Sequence, residues 1–137
     1  YMWVTNGVSN TVTRIQTNDF STLAPIAVGA GPALIASDGV NMWVANNGTS
    51  AVTRIAFNGT VLGTVPVGTG PVGVAFDGTR IWVSNRDGNS VSVIDAASAT
   101  VQSTVPVAST PQGLAFDGTN MWVTRSGANT VTKLRAS

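Results

Sequence analysis

Short runs of β-branched and aromatic residues follow one another along this chain, each closed by Gly, Asn, Asp or Pro. Arg80-Ile81-Trp82-Val83-Ser84 and Ser90-Val91-Ser92-Val93-Ile94 are typical. Runs of this length, punctuated by turn residues every roughly 8–12 positions, read as strands. Helix formers are sparse: glutamate is absent and leucine is scarce, so little in the sequence favours a helix.

The runs recur. Trp3, Trp43, Trp82 and Trp122 stand 40, 39 and 40 residues apart, and Val12, Val52, Val91 and Val131 keep the same register. So do Ile15, Ile55, Ile94 and Leu134, the prolines Pro32, Pro71 and Pro111, and the turn dipeptides Asp38-Gly39, Asp77-Gly78 and Asp117-Gly118. A period near 40 fits either two-helix units or four-stranded propeller blades, and the local chemistry selects strands. In the unit opening at Pro71, the first strand is Val72 to Phe76, whose small residues suit the crowded axis of a propeller. The Asp77-Gly78-Thr79 turn leads to a second strand, Arg80 to Ser84, carrying Trp82 between blades. The third strand is Ser90 to Ile94. The fourth, about Thr100 to Val107, contains Pro106, which matches Pro66 one repeat earlier. Proline donates no ladder hydrogen bond and so marks an edge, here the outer rim.

The prediction is an all-β propeller of four-stranded antiparallel blades. It has a partial blade over about 1–31, full blades over about 32–70 and 71–110, and a partial blade over about 111–137. Tyr1 to Thr5 aligns with a second strand and Asn129 to Leu134 with a third. The count is therefore fourteen strands, too many to close a ring by sharing one blade. Trp3, Trp43, Trp82 and Trp122 are expected at equivalent, largely buried sites.

The stretches Gly70-Pro71-Val72-Gly73-Val74-Ala75-Phe76-Asp77-Gly78-Thr79-Arg80-Ile81-Trp82-Val83, Ala115 to Thr124 and Asn129 to Leu134 resemble bacterial YVTN/NHL-like propeller repeats, and Tyr1-Met2-Trp3-Val4-Thr5-Asn6 is close to the YVTN motif itself. The resemblance spans essentially the whole chain. It implies the propeller fold and a bacterial-like surface or secreted setting, hence an extracellular or cell-surface location. It also brings in, at greater distance, the virginiamycin B lyase propellers, which use a histidine, a glutamate and bound Mg²⁺.

Composition then narrows the chemistry. Seven Lys+Arg against six Asp+Glu, scattered singly, give no electrostatic footprint for nucleic acid. No cysteine is present, which removes disulfides and thiolate chemistry. No apolar run approaches the ~20 residues of a membrane span, and nothing at Tyr1 reads as a signal peptide. Neither histidine nor glutamate occurs, so the lyase-type general base is missing. The expectation is of no enzyme activity, no catalytic residue, no cofactor and no metal.

Several local patterns carry a bland reading beside a sharper one. Asp38, Asp77 and Asp117 are expected to shape their turns through side-chain-to-backbone bonds. Asn85-Arg86-Asp87-Gly88-Asn89 alternates oxygen ligands like a Ca²⁺ loop, but has an arginine inside and no bidentate glutamate. Gly68, Gly70 and Gly73 form a Gly-x-Gly-x-x-Gly string, yet no helix follows and Pro71 interrupts it, so a tight blade connection is preferred to a dinucleotide site. Arg14, Arg54 and Lys133 share one repeat position. They form either a cation ring for an anionic polymer or a set of aliphatic stems lying on apolar surface with solvated heads. The Asn-Gly-Thr triplets at Asn47 and Asn58 are glycosylation acceptors only in a secreted eukaryotic protein.

The preferred reading is a non-catalytic scaffold presenting loops to a protein or glycan. The loops are those linking second and third strands, with Asn6, Asn46, Asn85, Arg86, Asp87 and Arg125 on the ligand face. Its partner is a second copy, in a dimer that completes a ring of about eight units, or the missing blades of a longer parent. One alternative is a fragment of a lyase-like propeller enzyme whose catalytic residues lie outside this chain; another is a purely structural, self-assembling blade fragment.

Overall fold

The computed structural model describes residues 1–136 and bears out the all-β reading. Fourteen strands form four antiparallel meanders, open rather than closed. The first sheet holds β1 (Met2–Asn6), β2 (Thr11–Ile15) and β3 (Ile26–Ala27). The second holds β4 (Pro32–Ser37), β5 (Asn41–Asn46), β6 (Ala51–Ala56) and β7 (Val61–Pro66). The third holds β8 (Pro71–Phe76), β9 (Arg80–Asn85), β10 (Ser90–Asp95) and β11 (Thr100–Pro106). The fourth holds β12 (Pro111–Phe116), β13 (Asn120–Arg125) and β14 (Thr130–Arg135).

Each sheet packs face to face on the next, and the three interfaces are built from the same repeat positions. Between the second and third sheets, Trp43, Ala45 and Val52 meet Val74, Ile81, Val83 and Ile94. Trp82 and Val91 meet Met121 and Val123 one step on, and Val12, with Trp3 against it, meets Met42, Val44 and Ile55 one step back. Each tryptophan therefore looks toward the following sheet, and the Met/Ile and Val of the same strand look back. β7 and β11, at the outer rim, are mostly exposed, as their prolines foretold.

All four tryptophans lie on corresponding strands, but their burial differs. Trp43 and Trp82 are buried, Trp3 is half-buried, and Trp122 is 40% exposed. The expectation of general burial holds only for the inner pair: among the described residues no sheet covers the outward face of Trp122, and Trp3, although the second sheet packs against it, has no first strand paired beside its own as Trp43 and Trp82 do.

Gly73 answers for the glycine string. Its amide donates to Ser84 Oγ at 2.9 Å, while the Ser84 hydroxyl donates across the interface to the Gln112 carbonyl. A Cβ on Gly73 would run into that carbonyl and the Ser84 oxygen, so the bare backbone is what lets β8 and β12 approach. At Gly113 the nearest atom to such a Cβ is Thr124 Oγ1 at 3.1 Å. Gly73→Ala is expected to lose about 1–3 kcal/mol and Gly113→Ala clearly less, as read from paired urea melts.

Candidate functional site

The loops chosen from sequence do gather at one end of the blades, beside the blade-to-blade connections. Asn47 N and Gly48 N donate to Gly31 O and Ala30 O; Arg86 N and Gly88 N donate to Gly70 O and Thr69 O; Ser126 N and Gly127 N donate to Thr110 O and Ser109 O. These bonds staple each loop to the preceding connection. Gly70 at φ +65° supplies the left-handed backbone that turns its carbonyl toward the loop.

Within this end the chosen side chains divide into two groups. Asn46 and Asn85 are buried: Asn46 Nδ2 donates to Thr53 Oγ1 at 2.7 Å, and Asn85 Nδ2 to Ser90 and Ser92 Oγ at 3.0 and 2.9 Å. Asn6 does the same to Thr11 and Thr13 in the first sheet. All three are clamps across the hairpin they open. In the fourth sheet Arg125 stands in the same place, donating from Nη1 to Thr132 Oγ1 and from Nε to Ala108 O, each at 3.0 Å. Arg86 and Asp87 form an exposed two-pronged ion pair at 2.8 and 3.1 Å. The Arg86 guanidinium holds the Asp87 carboxyl below its ordinary range. With Asp87 engaged by Arg86 and Asn85 turned inward, the ligand alternation suggested for Ca²⁺ is not assembled. Among the described residues no three His, Cys, Asp or Glu side chains cluster as a metal site.

The opposite end carries a device the sequence reading only half saw. Asp38 Oδ1 accepts from the Val40 and Asn41 amides at 2.8 and 2.6 Å, and Asp38 Oδ2 from the Trp43 indole at 2.7 Å. Asp77 and Asp117 repeat this with Thr79, Arg80 and Trp82, and with Thr119, Asn120 and Trp122, the indole bond being 2.7 Å each time. The aspartates do shape their turns, and they also anchor the tryptophan five residues on. A constant Asp-to-Trp spacing of five was the available signal.

A cation covers each indole. Arg14, Arg54 and Lys133 lie 5.6, 5.5 and 5.9 Å from the Trp3, Trp43 and Trp122 rings, opposite which they are registered on the neighbouring strand. In the third sheet Val93 holds that position, and Arg80, on the tryptophan's own strand, supplies the cation at 5.5 Å. The cationic heads lie over aromatic faces, that of Lys133 while its residue is still exposed, and each contact is worth about 0.5–2 kcal/mol.

Burial pushes the Asp38 and Asp77 carboxyls upward, but the indole and amide donors, with Arg80 beside Asp77, hold both below the ordinary 3.8. Asp117 is lowered by the Asn120 amide, the Trp122 indole and the Thr119 amide. Because these folded-state values lie below the unfolded ones, their stabilisation is complete above about pH 4 and is lost as pH falls through the folded values. The thermal midpoint is expected to stay flat from neutrality to about pH 5 and to drop below about pH 4. An Asp38→Asn/Asp77→Asn double variant, less stable at neutrality, should show a shallower acid limb by circular dichroism.

No family model and no curated protein matches the chain. Solved structures do. The chain aligns with hydrazine synthase of Kuenenia stuttgartiensis at a TM-score of 0.86 and 19% identity, covering 97% of this chain and 42% of that one. It aligns with a streptogramin B lyase at 0.80 and 20%, covering 98% and 51%. With a catalytically inactive histidine-to-alanine virginiamycin B lyase from Staphylococcus aureus, solved with quinupristin, it aligns at 0.78 and 24%, covering 97% and 51%. The fold is that of part of a β-propeller. The chain spans about half the length of these proteins.

This likeness overturns the expectation that the protein is no enzyme. That expectation rested on side chains missing from these residues, whereas the fold is one shared with propellers named for their catalysis. Among the described residues no helix is long and apolar enough to cross a membrane.

Proposed function

We propose that these residues form the scaffold half of a lyase-like catalytic propeller, built from YVTN/NHL-like blades, whose acid–base residues lie outside this chain. The observation that carries this reading is the coverage: nearly all of the chain aligns, but on only about half of each lyase. The inactive lyase variant lacks a histidine, and this chain has none, so chemistry of that kind needs a residue from the other half of the ring. The loop end bearing Arg86 and Asp87 is the proposed substrate-facing end, since their exposed ion pair stands there.

The codons on either side of these 137 are expected to encode further blades with a histidine and a nearby acid. The longer chain is expected to consume quinupristin while the 137-residue chain does not. Turnover by the short chain, or flanking sequence without a histidine, would overturn the reading.

A second reading concerns the chain in isolation. Trp122 and Val131 on the last sheet, and Met2 and Val4 on the first, are 40%, 57%, 59% and 38% exposed. They occupy the positions that meet each other at every internal interface. Contiguous apolar surface of this kind is normally covered in soluble proteins, and two copies joined head to tail would cover both faces. Native mass spectrometry is expected to show a dimer; a folded monomer at micromolar concentration would exclude it.

A further inference from the structure

We infer that the crevice between the second and third sheets, at the Asp-Gly end, is a binding site for a small organic monocarboxylate gripped by the Arg54 guanidinium. The inference does not depend on the enzyme reading, and the site lies at the end opposite the Arg86–Asp87 loop. Val40 and Arg54 of the second sheet face Phe76, Gly78, Ala96 and Ala97 of the third across a space of about 360 Å³. That size falls within the range of small-molecule sites.

Arg54 differs from the other arginines of its kind in what it is bonded to. Arg14 Nη1 donates to the Phe57 carbonyl at 3.2 Å, with the Gly59 backbone closed against the guanidinium, and Arg80 Nε donates to Asp77 at 3.0 Å. Residues 96–99 form the matching turn of the third sheet, but no backbone carbonyl or carboxylate among the described residues accepts from Arg54. Its partner is the Asn41 side chain, whose amide the hydrogen-bond network orients with the oxygen toward Arg54, accepting from Nη2 at 3.1 Å and Nε at 3.3 Å. Asn41 is buried and the Trp43 ring lies against the guanidinium, so the group is held in place from two sides. The Asn41 bonds use two of the five guanidinium N–H groups and leave the Nη1–Nη2 end, which can take a carboxylate through two parallel bonds.

The rest of the crevice sets the class of ligand. Asp38 stands on the Arg54 wall, but its oxygens are turned to the Val40 and Asn41 amides and the Trp43 indole, so its charge is matched locally. Val40, Phe76, Ala96 and Ala97 are apolar, and among the described residues no second cation lines the space. One guanidinium beside apolar walls suits a single carboxylate on an aryl or alkyl body, and not a polyanion. The crevice at the next interface is smaller, about 260 Å³, and its arginine, Arg80, is already paired with Asp77.

The test titrates phenylacetate into the ¹⁵N-labelled chain, with phenylacetamide and inorganic sulfate as controls. The Gly78 and Ala97 amide resonances are expected to shift saturably with a dissociation constant of about 1–10 mM, while that of Gly118, at the next interface, stays. Phenylacetamide should bind about tenfold more weakly, since the charge-assisted bonds are lost. Arg54→Gln is expected to abolish the shifts, and so is Ala97→Phe, which fills the crevice and leaves Arg54 in place. Equal binding of phenylacetamide or of sulfate, or phenylacetate binding that survives either substitution, would overturn the inference.

Discussion

Replacing Trp43 with alanine is expected to remove about 3–5 kcal/mol of stability, the range for truncating a large buried aromatic, while the same change at Trp122 removes far less. Trp43 is fully buried against Val74, Ile81 and Val83. It also accepts the Arg54 cation on its face and donates to Asp38. Truncation opens a cavity between two sheets and strips both polar neighbours of their partner. Trp122 has the same local bonds, to Asp117 and Lys133, but one face stands in solvent, so no cavity forms. Urea melts of the two variants measure the difference. Equal losses would mean that burial between sheets is not what the repeated tryptophan supplies. Trp122→Ala should instead weaken the head-to-tail pairing proposed above, and native mass spectra of that variant read this effect separately.

Asp77→Ala is expected to be the next most damaging change, at about 3 kcal/mol. The Asp77 side chain is only 3% exposed, and it accepts from the Thr79 and Arg80 amides, the Arg80 side chain and the Trp82 indole. Its removal unties the turn and leaves a buried indole N–H without an acceptor, a loss of about 1–3 kcal/mol by itself. Trp82→Phe deletes the indole donor while keeping much of the apolar bulk. A double-mutant cycle between the two is therefore expected to show coupling of about 1 kcal/mol or more. Additive losses would mean that the aspartate serves only the turn. The cycle is best run above pH 5, where the carboxylate is fully ionised in both states.

The clasp shows how far local sequence reading reaches. An aspartate before glycine announces a turn because its oxygens can reach the next amides, and those bonds form. The second oxygen's partner lies five residues on, on the following strand, and becomes visible only when turn and strand are seen as one hairpin. The asparagine clamps are similar. Asn6, Asn46 and Asn85 stand at loop entrances and look like ligand groups until the hairpin folds and brings Thr13, Thr53 and Ser92 opposite them. Arg125 hides in the same way, taking an asparagine's place with a longer side chain.

What the sequence by itself determined was the repeat, the strand type and the number of strands. Side-chain alternation, turn residues and a period near 40 are short-range properties that a chain carries whether or not it is folded. The tertiary structure alone decided which equivalent positions are equivalent in energy. Trp43 and Trp122 share a strand position and bonding partners, yet one is buried and the other open, because burial depends on the neighbouring sheet. Gly73 and Gly113 likewise share a position, but only Gly73 has another sheet's carbonyl pressed against it. Arg80 reaches an indole face that the repeat had assigned to residue 93. Packing between sheets depends on relative placement in space, and neither composition nor spacing encodes that placement locally.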